Sequence, residues 1–206
     1  MILKINDGLY IYGGIKGLTR DGNDLGSHLN SIKPDIILIT ISPEEVNGIK
    51  YFIENPFEMS LSDYEIIYGV NLSKYGEVMT PSPIYIETAK YSNKNNIDII
   101  GIDMDEEEYQ KAYAQNIKVF DLLRHSMRKK KISRIKFENE TPEDYVAKWN
   151  ETVDVGGFYK LNRIRLNYMI KKADSIIDEN GNKKIMFVSD YDYYPEISEY
   201  FDHKKM

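Results

Sequence analysis

The chain reads as an α/β protein, with a mostly parallel β-sheet, helices on both faces and a helical insertion. Three observations predict this class. Short apolar runs suited to strands alternate with capped, amphipathic segments suited to helices. One run, Ile36-Ile37-Leu38-Ile39-Thr40-Ile41, is apolar at nearly every position, as in a parallel strand covered on both faces. Another, Leu9 to Tyr12, stops on Gly13-Gly14, as a buried strand does on entering a tight turn.

After that first turn, Asp21-Gly22-Asn23-Asp24 reads as a polar loop, and Leu25 to Lys33 as a short helix ended by Pro34. Following the Ile-rich strand, Ser42-Pro43-Glu44-Glu45 supplies an N-cap, a first-turn proline and a capping-box glutamate, so a helix runs to about Glu54. Ser62-Asp63-Tyr64-Glu65 repeats the pattern and opens a helix to about Gly76; Ser82-Pro83 opens another to about Asn96. Ile97 to Ile102 is the third strand. Asp105 to Glu108 then places four acids on the first turn of a helix, where the macrodipole favours them. Tyr109, Tyr113, Ile117, Phe120, Leu123 and Met127 recur at helical spacing and predict one long helix with a buried stripe. Thr141-Pro142-Glu143-Asp144 caps a helix containing Trp149, and Gly156-Gly157 breaks the chain. Phe158, Leu161, Ile164, Tyr168, Met169, Ala173 and Ile176 mark a further amphipathic helix. Ile185 to Val188 is the last strand, and Tyr194-Pro195-Glu196 starts a short closing helix. The expected organisation is one α/β domain over residues 1–206, with helical insertions at about 42–96 and 105–177.

Composition removes several function classes. Net charge is -6, which argues against nucleic-acid binding by bulk electrostatics. There is no cysteine, so disulfides, thiolate chemistry and cysteine zinc sites are excluded. Met1 to Asp7 carries no apolar core or small-residue cleavage site, and no apolar run approaches the ~20 residues of a membrane helix. A cytoplasmic protein with no membrane among its partners is the expectation.

Four groups of residues carry candidate chemistry. The turn Gly13-Gly14-Ile15-Lys16-Gly17 could cradle a phosphate through backbone N–H groups, but it matches neither the Walker nor the dinucleotide pattern, and a simple tight turn is the plainer reading. Asp103 and Asp105 follow one strand, and Asp190 and Asp192 another. If those strands are parallel, both pairs lie on one rim, and such oxygen-rich sites suit Mg²⁺ or Mn²⁺. Against this, Asp105 suits a helix N-cap, and Asp190 and Asp192 suit a polar loop. The three histidines, His28, His125 and His203, show no sign of converging. Arg124, Arg128, Lys129, Lys130, Lys131, Arg134 and Lys136 form one dense basic run, more often the solvated C-terminus of a long helix than a nucleic-acid patch. Tyr191, Tyr193 and Tyr194 are candidates for an exposed pocket mouth, or for packing.

The order of these pieces resembles the TraB/TIKI superfamily, which includes the erythromycin esterase-like and ChaN-like proteins. The features that carry the resemblance are the strand ending in Gly13-Gly14-Ile15-Lys16, Lys33-Pro34-Asp35 before an Ile-rich strand, Ile102-Asp103 at a strand end, Arg165 in an Arg-x-x-Tyr-Met helix, and the closing Phe187-Val188-Ser189-Asp190-Tyr191-Asp192. The resemblance spans about residues 8–202 in pattern and implies the TraB/EreA/ChaN-like fold. That family places a Gly-x-x-His after its first strand, a Glu at the end of its second, a Glu before the arginine and a second Gly-x-x-His after its last strand. These are the proposed metal ligands and catalytic groups of its TIKI members. The matching positions here read Lys16, Thr40, Ile164 and Asp192, with Ser189 for the last glycine; Gly13, Asp103 and Arg165 are kept.

That replacement has a physical consequence. A metal ligand needs a free lone pair, and freeing one on Lys16 near neutral pH costs roughly 4–5 kcal/mol. A protonated Lys16 repels a divalent ion but pairs well with Asp192 across the same rim. The resemblance therefore implies a domain that has lost metal-dependent hydrolysis and needs no cofactor. It would bind a small molecule or a protein partner at the C-terminal rim of the sheet, and a homo-oligomer is a further expectation. The rim residues are Gly13, Gly14, Lys16, Thr40, Asp103, Arg165, Asp190 and Asp192, with Lys16 and Asp192, joined by Asp103 and Arg165, as an ionic cluster. The alternatives are a hydrolase using Asp103, Asp190 and Asp192 on Mg²⁺ or Mn²⁺, and a nucleic-acid-associated protein working through residues 124–136.

Overall fold

In the computed structural model, which describes residues 1–138 and 140–204, four parallel strands carry the architecture. They are β2 (Leu9–Gly14), β3 (Ile36–Ile39), β4 (Asp98–Gly101) and β5 (Ile185–Asp190). The order across the sheet is β1-β2-β5-β3-β4, where β1 (Ile2–Lys4) is an antiparallel edge strand on β2. The chain's last strand therefore lies between its second and third, and β5 is central. Its side chains alternate: Ile185 and Phe187 face one layer, Met186 and Val188 the other, and all are buried. Central parallel strands are apolar on both faces because helices cover both.

The first layer is built by α8 (Gly157–Glu179) and α9 (Tyr194–Lys204), which lay Leu166, Met169, Ala173, Ile197 and Phe201 on the sheet. The second is built by α1 (Thr19–Ile32), α2 (Pro43–Glu54) and α4 (Pro83–Asn95) through Leu25, Leu29, Val46, Ile84 and Tyr91. Beyond the C-terminal ends of the strands stand α3 (Asp63–Leu72), α6 (Val119–Ile132) and α7 (Pro142–Val153). They enclose an aromatic-rich cluster around Leu72, Phe137, Tyr145 and Trp149. The helix α5 (Glu106–Asn116) packs on α8. No helix among the described residues is long and apolar enough to cross a membrane.

Capping is where local sequence acted alone. Ser42 with Glu45, Ser62 with Glu65 and Asp105 with Glu108 form complete capping boxes at the starts of α2, α3 and α5. Three expectations are corrected, and one edge strand is added to them. Strand β1 adds an antiparallel edge that its short, mixed sequence does not announce. Residues 21–24 belong to α1 and not to a loop, because their polar groups are used: Asp21 accepts the Ile15 N–H at 2.7 Å, and Tyr12 donates to Asp24 at 3.0 Å. The expected helix over Asp105 to Met127 is two helices. Lys118 is extended, and the Asp121 carboxylate accepts the N–H of Lys118 at 3.0 Å and of Gly157 at 3.1 Å, which starts α6 afresh and ties it to α8. The expected stripe is broken with it, since Phe120, Leu123 and Met127 face solvent.

Gly13 and Gly14 are strand residues, and Gly17, at φ 97°, makes the turn. Gly13 is required by a close approach. A β-carbon there would lie 2.3 Å from the Tyr194 ring carbon Cγ, and one at Gly14 would lie 2.8 Å from Ile84. The Tyr194 ring is buried in the core layer on that side of the sheet, which leaves it little room to swing aside. Gly13→Ala is therefore expected to cost about 1–3 kcal/mol or more, read as a lower urea midpoint with unchanged slope.

Candidate functional site

The C-terminal ends of β2, β5 and β3 meet at one rim, as parallel strands require. Gly14 lies beside Asp190 in register, and Thr40 follows β3 directly. Thr40 extends the sheet ladder with its side chain, its Oγ1 accepting the Asp190 N–H at 2.9 Å. The Asp190 carboxylate, only 3% exposed, is thereby held under the turn after β2. Lys16 reaches down from that turn. Its Nζ stands 3.3 Å from Asp190 Oδ2 and 3.2 Å from Asp192 Oδ2, so one ammonium bridges two carboxylates. The expected Lys16–Asp192 pair forms, with Asp190 as an equal partner. Tyr85, on the first turn of α4, donates its hydroxyl to Asp190 Oδ1 at 2.5 Å.

The electrostatics follow from burial. Burial pushes the Asp190 carboxyl up to about 6, with Asp192 adding to the rise and Lys16 and Tyr85 opposing it. Burial works against the Lys16 charge too, but Asp190 and Asp192 outweigh it and hold the ammonium well above its ordinary value. Lys16 is thus a cation at neutral pH and has no lone pair to offer. It lies deep in the fold, yet its side chain keeps 40% of its surface open to a cavity.

Arg165 and Asp103 form a second, separate pair. Arg165 projects from α8, and its Nε and Nη2 both bond Asp103 Oδ2, the former at 3.0 Å. Asp103 also accepts the Met104 N–H at 2.8 Å. The guanidinium lies 5.6 Å from the Tyr109 ring centre and 6.0 Å from that of Tyr193. Burial opposes its charge, and Tyr193 and Asp103 more than restore it. Arg165 Nη1 contacts Asn162, which donates to Asp154 at 2.7 Å, and burial raises the Asp154 carboxyl. The single four-residue cluster expected from the sequence is thus two pairs. Lys16, Arg165, Asp190 and Asp192 face one cavity, and Asp103 stands behind Arg165.

That cavity has a volume of about 570 Å³. Its floor is charged and polar, with Lys16, Thr40, Asp190 and Asp192. Its walls are Phe52 from α2, Tyr64 and Tyr68 from α3, and Trp149 from α7. Phe57, Met59 and Leu61, from the segment between α2 and α3, line it and are also exposed to solvent. A polar floor under apolar walls is the usual form of a small-molecule site.

No family model and no curated protein matches this chain.

The chemistry of the rim is decided by what its groups already touch. Among the described residues, no three histidine, aspartate or glutamate side chains stand where they could hold a metal ion. Asp103, Asp190 and Asp192 do not make such a group, since Arg165 occupies the first and Lys16 the other two. His28 lies near Asp24, His125 stacks between Tyr64 and Phe158, and His203 is in the last turn of α9. Tyr191, Tyr193 and Tyr194 do not form the cavity mouth. Tyr194 is buried over Gly13, Tyr191 stacks on it, and Tyr193 covers Arg165. The basic run lies on α6 and just beyond, outside the cavity lining. Sequence reasoning missed Tyr85 and the aromatic walls. Tyr85 sits 105 positions from the carboxylate it serves, and no local spacing connects them.

Proposed function

We propose that the chain is a non-catalytic binding domain of the TraB/TIKI-like kind, which holds a small molecule or a short protein segment at the C-terminal rim of its sheet. One observation carries the reading: Lys16 and Arg165, the cations that line the cavity among the described residues, are already committed to carboxylates, beneath walls that are aromatic and apolar. Such a floor orients a ligand's polar groups, and the walls bury its apolar body. The TraB/TIKI-like assignment rests on the sequence pattern, with Lys16 and Asp192 where that family places its paired histidines. An ammonium bridged by two carboxylates does not do the work of a metal-bound imidazole.

The test uses Trp149, the one tryptophan of the chain, which lines the cavity. Small amphipathic molecules are screened for a rise in Tm and a change in Trp149 emission together. A ligand present at about 100 times its Kd adds about 2.7 kcal/mol, or roughly 5–10 °C for a chain of this size. Mg²⁺ and Mn²⁺ are run alongside and are expected to leave Tm unchanged. A rise with either ion, followed by ester or peptide cleavage, would replace this reading with the Asp-based hydrolase.

A further inference from the structure

The outer face of α6 is apolar and uncovered among the described residues. At 3.6 residues per turn, Val119, Phe120, Leu123 and Met127 share a stripe about 100° wide. Their exposures are 74%, 67%, 57% and 71%. The helix is nevertheless held firmly from its other side. His125 stacks between Tyr64 and Phe158, Ile132 is buried, Arg128 donates to the Thr152 carbonyl at 2.6 Å, and Lys129 pairs with Asp63. The stripe therefore faces outward by construction.

Cations accompany it. Arg124, Lys130 and Lys131 on α6, then Arg134 and Lys136 beyond it, are all exposed. Asp121 is the only acid between residues 119 and 136, and its carboxylate is engaged by the N–H groups of Lys118 and Gly157. Residues 124–136 hold seven cations and no acid, so the other residues together carry -13 against a total of -6. That asymmetry favours the approach of this face to a negative surface.

We propose that α6 is a membrane-surface helix. Its Val119–Met127 stripe enters the headgroup–acyl boundary of an anionic leaflet, while Arg124, Lys130, Lys131, Arg134 and Lys136 meet the headgroups. A second copy of the chain fits this face poorly, because residues 119–136 offer it no free carboxylate to set against their own cations. Nucleic acid would neutralise the cations and leave the stripe in water. An anionic lipid surface satisfies both halves at once, and a protein partner has no such requirement to be anionic and apolar over one helix face.

The full chain is mixed with phosphatidylcholine vesicles, with and without phosphatidylserine, and bound protein is measured by co-sedimentation at rising salt. Binding is expected only with phosphatidylserine, and to weaken steeply with salt. Phe120→Ser/Leu123→Ser/Met127→Ser should abolish it, and Lys130→Gln or Lys131→Gln should each weaken it about fivefold. These side chains are exposed, so an unchanged Tm certifies that each variant is folded. The proposal is overturned if phosphatidylserine vesicles leave the protein in the supernatant, or if the triple variant binds like wild type. A dimer by light scattering that the triple variant makes monomeric would overturn it in favour of self-association. Retention on RNA that ignores the triple variant, without vesicle binding, would overturn it in favour of nucleic acid.

Discussion

Lys16→Met is expected to lower stability by about 3–5 kcal/mol near neutral pH, because it leaves two neighbouring carboxylates without their shared cation. One of them, Asp190, is almost wholly buried, and burial already pushes its carboxyl up to about 6 with Lys16 in place. Removing the ammonium takes away the largest influence opposing that rise, and Asp192 then repels Asp190 uncompensated. The sign of the pH dependence follows. A carboxyl whose folded-state pKa lies above its unfolded value of 3.8 holds its proton more tightly in the folded form. Its contribution to stability is present below pH 3.8 and is lost as pH rises to about 6, a loss of roughly 3 kcal/mol from this group in the wild type. In Lys16→Met the window extends above pH 6. The variant should therefore approach wild type at pH 4–5 and fall behind as pH rises to 8. Urea unfolding at several pH values reads this directly. Adding Asp190→Asn to Lys16→Met should recover part of the loss, since it removes the buried charge that the first substitution strands. A deficit independent of pH would show that Lys16 contributes packing alone.

The parts of the fold that local chemistry dictates were legible in the residues. Ser42 and Glu45 satisfy one another's backbone groups three positions apart, so their capping box is written in the sequence and present in the structure. The apolar runs from Ile36 and from Ile185 became buried parallel strands, because a run apolar at every position suits a strand covered on both faces. The misreadings share a cause, which is long-range satisfaction of polar groups. Asp21 and Asp24 looked like a loop until Tyr12 and the Ile15 N–H supplied their partners. The helix expected through Ile117 breaks because Asp121 finds the Gly157 N–H, 36 positions away. The rim shows both kinds. Parallel strands deliver Lys16, Thr40, Asp190 and Asp192 to one place, which alternation of elements foretells. Their pairing is a matter of angstroms. Sequence order did not show that Asp190 shares Lys16 equally with Asp192, or that Asp103 stands behind Arg165.

Arg165→Met should cost as much as the loss of Lys16, for a related but distinct reason. Asp103 is 3% exposed, and its remaining hydrogen-bond donor would be the adjacent Met104 N–H. Breaking a buried pair from one side leaves a desolvated charge, at about 3–5 kcal/mol, whereas removing both partners leaves none. Arg165→Met/Asp103→Asn should therefore be more stable than Arg165→Met alone, although it carries one substitution more. Arg165→Lys tests the geometry. It keeps the charge but loses the fork that places Nε and Nη2 on one carboxylate, and with it the flat contact to Tyr109 and Tyr193. A loss intermediate between wild type and Arg165→Met is expected from chemical unfolding of the four proteins. If Arg165→Lys matches wild type, the planar fork contributes nothing and charge alone holds Asp103. If the double variant is no better than Arg165→Met, the guanidinium acts through its ring contacts and the buried carboxylate is supported elsewhere. Lys16 and Arg165 share no carboxylate, so a measured coupling between the two sites would mean that the cavity floor responds as one unit.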